Sequence, residues 1–173
     1  HELGFDKGQV NLDYSIVAAI TRKLVDADTD RLFFIATPTE VIIENAPSMQ
    51  VELHKHPNHP ERGERVLQAN GKFVLTLEDV QSLDAGKLYR LMECVNFRKE
   101  GGKYIFDSTD LETYKKSGRG ILHWLPVGAG LNADVMMPDA TRISGLVEAG
   151  VKDMKIGQLI QFERFGFCRL DSI

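Results

Sequence analysis

After Arg31 the apolar residues come in short runs or alternate with polar ones, and this texture constrains the fold more than any other feature of the chain. The runs are Leu32 to Ile35, Val41 to Ile43, Val51 with Leu53, Phe73 to Leu77, Leu88 to Met92, Ile121 to Leu125, Val135 to Met137, Leu159 to Phe162 and Phe167 to Leu170. Turn formers separate them: Pro38, Asn45-Ala46-Pro47, Asn70-Gly71, Gly101-Gly102 and Gly128 to Gly130. Many short strands bounded by Gly, Pro and Asn predict a mainly β protein, an antiparallel barrel or sandwich. Roughly ten strands in about 145 residues suit two small barrels as well as one large one. Helical spacing occurs early, where Ile16, Val17, Ile20 and Leu24 share one face and Asp13 can cap the start. A short helix is also expected from about Thr76 to Leu83, with Thr76 as cap and Glu78 and Asp79 in its first turn.

Composition narrows the function little. The hydrophobic share of 43% and charged share of 27% are ordinary for a globular protein. No apolar run approaches a membrane helix, and no signal-peptide pattern occurs near the start. Cys94 and Cys168 form no CxxC pair, which fits reduced thiols in a cytoplasmic protein. A net charge of −4 argues mildly against nucleic-acid binding, although a local basic face is what such binding requires.

No constellation marks an active site, and no catalytic residue is assigned. His54, His56 and His59 are close in sequence, but a fourth ligand is missing and Pro57 and Pro60 stiffen the segment, so a structural loop is expected and no metal. Gly118-Arg119-Gly120 lacks the spacing of a phosphate loop, and Gly128-Ala129-Gly130 precedes no helical pattern; both read as turns. Planar and basic groups near strand ends are more suggestive. Arg31 precedes an apolar strand, Arg90 lies in Gly86-Lys87-Leu88-Tyr89-Arg90-Leu91, and Gln161 and Arg164 lie in Gln161-Phe162-Glu163-Arg164-Phe165-Gly166-Phe167. Gln offers a donor and an acceptor together and Arg a planar fork, the groups that read splayed single-stranded bases. Strand alternation puts Gln161 and Glu163 on one face and Phe162 and Arg164 on the other, so Gln161 and Arg164 converge only at a bulge or strand end. On spacing alone, arginines paired with neighbouring acids are the simpler reading.

Four segments carry a resemblance. They are Asp30-Arg31-Leu32-Phe33-Phe34-Ile35-Ala36-Thr37-Pro38 with Val41-Ile42-Ile43-Glu44-Asn45; His56-Pro57-Asn58-His59-Pro60-Glu61-Arg62-Gly63-Glu64-Arg65; Gly120-Ile121-Leu122-His123-Trp124-Leu125; and Ile160-Gln161-Phe162-Glu163-Arg164-Phe165-Gly166-Phe167-Cys168-Arg169-Leu170-Asp171. In this order they resemble the C-terminal anticodon-binding region of the glutamyl- and glutaminyl-tRNA synthetases. The resemblance implies the end of a helical connecting domain over residues 1–28 and two small antiparallel β-barrels over 29–173. Arg31, Gln161 and Arg164 match the positions around the middle anticodon base, and Arg90 matches the reader of the first. Lys115, Lys116, Arg119 and His123 are candidate contacts to the RNA backbone.

One departure points to the glutamate branch. Glutaminyl enzymes of bacterial type carry an insertion before the Gly-Lys run that reads the third anticodon base, whereas here Asp84-Ala85 leads straight into Gly86. The implied partners are glutamate tRNA, with glutamine tRNA left open, and the catalytic domain of the same enzyme. The class I signatures His-Ile-Gly-His and Lys-Met-Ser-Lys-Ser are absent, so the chain is expected to be inactive alone, with no cofactor of its own and with ATP and magnesium belonging to the catalytic domain. The alternatives are the same region of a glutaminyl enzyme, a free-standing ribosomal-RNA-binding barrel, or a protein-docking module using the helix Ile16 to Leu24.

Overall fold

The computed structural model describes residues 25–173; the helix expected over Ile16 to Leu24, and with it most of the segment 1–28, lies outside the described residues. No helix among the described residues is long and apolar enough to cross a membrane. The described chain is mainly β. Strands β1 (Asp30–Leu32), β2 (Phe34–Ala36), β3 (Pro38–Glu44), β4 (Met49–His54), β5 (Glu64–Ala69) and β6 (Lys72–Thr76) lead into a short helix, α1 (Leu77–Gln81). Then follow β7 (Leu88–Leu91), β8 (Asn96–Glu100), β9 (Lys103–Ser108), helix α2 (Leu111–Ser117), β10 (Gly118–Leu122) and β11 (Leu125–Pro126). The hairpins β12 (Gly130–Met136) with β13 (Arg142–Glu148), and β14 (Leu159–Phe162) with β15 (Gly166–Arg169), complete the order.

The run Leu32 to Ile35 organises the molecule because it is buried on both faces. Side chains of an extended segment alternate, so Phe33 and Ile35 enter a large core with Phe73, Leu75, Phe97 and Trp124, while Leu32 and Phe34 enter a smaller one with Val147, Val151, Ile160 and Phe162. Trp124 is fully buried, and its indole N–H donates to the Met92 carbonyl at 3.0 Å. The smaller core is discontinuous in sequence, since β1 and β2 join β12 to β15 around it.

The hydrogen-bonded ladders differ from the expected closed antiparallel barrels. The largest sheet runs β10-β7-β8-β9-β3-β6-β11 and ends open at β10 and β11. Three pairings are parallel: β10 with β7, β3 with β9, and β1 with β14. Parallel neighbours need long crossovers, which local periodicity cannot reveal.

Helix α1 starts as expected, with the Thr76 hydroxyl accepting from the Asp79 N–H at 3.1 Å, but ends at Gln81 rather than Leu83. The structure adds helix α2, which no buried apolar face marks in the sequence. Asp110 caps it by accepting from the Thr113 N–H at 2.7 Å, with Glu112 in its first turn and Lys115 and Lys116 in its last. The histidine segment folds into a loop with a single turn of 3-10 helix at Pro60–Arg62. There His56 is buried, its Nδ1 accepting from the Asn58 N–H, and the His59 ring packs against it at 4.6 Å.

Candidate nucleic-acid interface

Strands β1 and β14 run parallel in a register that sets Arg31 directly opposite Gln161. Their neighbours Leu32, Ile160 and Phe162 turn into the smaller core, so Arg31 and Gln161 project together from the opposite face. The Arg31 peptide N–H donates to the Lys55 carbonyl at 2.7 Å, and its Nη2 lies 3.3 Å from Asp26 Oδ1. Arg31 Nε and Gln161 Oε1 are buried and, among the described residues, without a hydrogen-bond partner. A buried polar atom left unpaired costs about 1–3 kcal/mol, so a ligand supplying both an acceptor and a donor here gains more than at a solvated surface.

Arg164 sits in the turn of the β14–β15 hairpin, where the Phe165 N–H donates to the Phe162 carbonyl at 3.0 Å. Its φ of 60° is left-handed, unusual for a residue with a Cβ, and takes the side chain out of the strand's alternation. The strand end that convergence with Gln161 requires is therefore present, but Arg164 goes elsewhere. Its Nη1 donates to Asp79 Oδ2 at 3.0 Å and its Nη2 to Asp79 Oδ1 at 2.8 Å, in a bidentate pair. The pair spans a cleft walled by Phe34, Thr37, Thr76, His123, Glu163 and Phe165; neither Arg31 nor Gln161 lines it.

Beneath the cleft lies a buried charge network that sequence spacing does not show. Arg65 donates through Nη1 to Glu148 and through Nη2 to Glu163 at 2.7 Å, while its guanidinium lies 4.4 Å over the Phe33 ring. The Phe33 N–H also donates to Glu148, at 2.6 Å. Burial pushes the Glu148 carboxyl above its usual range, against the opposing pull of Arg65 and the Phe33 N–H. His123 stacks on Phe33 with ring centroids 4.6 Å apart. Burial, reinforced by the cations Arg164 and Arg65, pushes its pKa down to about 4.

His123 is thus neutral at pH 7 and 3% exposed, and so offers a phosphate no charge, unlike the surface contact expected of it. Arg90 is 5% exposed, with Nη1 donating to Asn96 Oδ1 and to the Thr109 carbonyl, both at 2.9 Å. Asn96 in turn donates to Ser108 Oγ and to the Asp110 carbonyl, so the two residues brace the turn that starts α2. Lys115, Lys116 and Arg119 are exposed at the end of α2 and the start of β10; Lys115 pairs with Glu112 at 2.8 Å. Asp79 and Arg65 are the site residues that spacing missed, because their partners lie 83 to 98 residues away.

Residues 29–110 and 121–171 each match a family described as tRNA synthetases class I (E and Q), anti-codon binding domain. The chain is 34% identical over 172 residues to a glutamate–tRNA ligase of Methanothermobacter thermautotrophicus, covering 99% of this chain and 30% of the relative. It is 33% identical over 177 residues to that of Methanosphaera stadtmanae (99% and 31%) and 34% identical over 174 residues to that of Methanocaldococcus jannaschii (98% and 31%). The chain thus spans less than a third of the length of these curated relatives.

Proposed function

The chain belongs to the anticodon-binding domain family of the class I tRNA synthetases for glutamate and glutamine, and within it we propose that the chain reads the middle anticodon U of glutamate tRNA. The observation that carries this reading is the in-register pair Arg31 and Gln161, with a buried donor and a buried acceptor both unpartnered among the described residues. The Watson–Crick edge of uracil supplies the complement, an N–H for Gln161 Oε1 and a carbonyl for Arg31 Nε. Arg164 approaches the same base or its phosphate from the cleft. Lys115, Lys116 and Arg119 hold the RNA backbone, with Lys116 and Arg119 the better placed because Lys115 already has Glu112. The family pattern gives Arg90 the first anticodon base, and bracing α2 is a second task for the same side chain.

In the whole enzyme, ATP, magnesium and glutamate fall to a catalytic domain that docks against this one, in the cytoplasm. The direct passage from Asp84-Ala85 into Gly86, with no insertion to read the third anticodon base, favours glutamate over glutamine tRNA.

The test is binding of the chain, at two salt concentrations, to glutamate tRNA and to a variant whose middle anticodon U is replaced. Discrimination of about tenfold or more is expected, the range of one well-formed base contact, and it should be lost in Gln161→Ala and Arg31→Ala. Equal affinity for both RNAs would leave only a nonspecific RNA surface.

A further inference from the structure

We propose that Asp79 is a positioning residue for anticodon discrimination: it fixes the plane of the Arg164 guanidinium so that its remaining donors point at the bound nucleotide. The inference rests on the anticodon reading above. The pair is end-on, with Nη1 and Nη2 each giving one hydrogen to a different carboxylate oxygen. That arrangement leaves the Nε–H and the outward hydrogens of both Nη atoms for a second acceptor. Arg164 is 49% exposed on its side chain and Asp79 9%, so the carboxylate is the buried support and the guanidinium the presented group.

A purely structural reading of the pair is weak. Arg164 is half-exposed, so solvent screens its side of the pair and limits what the pair adds to stability. The hairpin turn is already tied to the larger core through Glu163, which accepts from buried Arg65. Yet the turn holds Arg164, a residue with a Cβ, in the left-handed conformation that directs it at Asp79. Asp79 is itself held, because its peptide N–H caps on Thr76 at 3.1 Å. A carboxylate on an RNA-binding cleft repels phosphate, so its presence needs a compensating role. Orientation of a base-reading donor supplies one, since a planar fork discriminates only when its plane is fixed.

The decisive measurement compares Asp79→Ala, Arg164→Ala and the double variant with the wild-type chain. Each is titrated with glutamate tRNA and with the middle-U-replaced tRNA at two salt concentrations, and thermal unfolding monitors the fold. For Asp79→Ala the ratio of the two affinities should fall about tenfold, while affinity for the replaced tRNA holds or rises, because an arginine is released and a carboxylate removed. Adding Asp79→Ala to Arg164→Ala should lower the ratio no further. Asp79→Asn keeps one acceptor for Arg164; it should fall between, and it carries the test if the alanine variant is unfolded. An unchanged ratio in a discriminating, folded chain would overturn the role of Asp79 alone, as would an equal loss of affinity for both RNAs. A wild type that binds both RNAs alike overturns the anticodon reading and this proposal together.

Discussion

His123 shows how far a single residue's surroundings can depart from what its sequence neighbours suggest. Between exposed Ile121 and buried Trp124 it lies stacked on Phe33, close to two arginines, and its pKa falls from 6.5 to about 4. The unfolded chain takes up a proton as pH falls through 6.5, whereas the folded chain resists until about 4. Folding stability from this residue is therefore complete above pH 6.5 and declines towards pH 4, by on the order of 3 kcal/mol. Glu148, whose pKa is raised, works in the opposite sense and recovers some stability as pH falls. His123→Phe keeps the stacking and removes the titration. Urea unfolding at pH 7 and pH 5 should show a smaller difference for this variant than for the wild type, and an equal difference would show that His123 does not set the slope. Arg31 and Gln161 could be picked out as chemistry-bearing residues because one directly precedes an apolar run and the other interrupts one. That Arg164 pairs with Asp79 could not, because the two meet only through the tertiary fold.

Among the elements, those with a strong local signal were legible and those without were not. Val41 and Ile43 are buried while Ile42 between them is 61% exposed, the period of two that marks a half-buried strand. Thr76 begins α1 by the capping bond its position suggested, and Thr76→Ala should lower stability by about 1 kcal/mol in a thermal melt. Helix α2 buries no residue fully, so it carries no apolar periodicity, and only Asp110 and the order of its charges mark it. Its basic end joins β10 at Gly118, where an added Cβ would fall 2.1 Å from the Tyr114 ring and would have to displace it. If this end follows the RNA backbone, Lys116→Ala and Arg119→Ala should each reduce the salt slope of tRNA binding by about 1 and leave discrimination of the middle base intact. An unchanged slope would place the RNA backbone elsewhere.

At the scale of the whole molecule, the two cores are joined by covalent continuity, sheet pairing and buried charge at one place. Leu32 to Ile35 feeds both cores, and β13 approaches β2 so closely at Gly145 that an added Cβ would lie 2.4 Å from the Ile35 carbonyl oxygen. Arg65 then reaches from β5, on the larger core, to Glu148 and Glu163, which border the smaller one. Neither core can lose its part of this joint without exposing the other, so the described region should unfold in one transition. Arg65→Met tests the charged part of the joint. It removes the cation yet leaves Glu148 buried, so it should destabilise the chain by about 3 kcal/mol or more, the range for breaking a buried pair from one side. In Arg65→Met with Glu148→Gln, the remaining amide oxygen still accepts from the Phe33 N–H and no uncompensated carboxylate stays at that position, so much of the loss should return. Denaturant titration of the two variants beside the wild type decides: a double variant as unstable as Arg65→Met would mean that Arg65 acts through its packing on Phe33 or its pair with Glu163 rather than through its charge on Glu148.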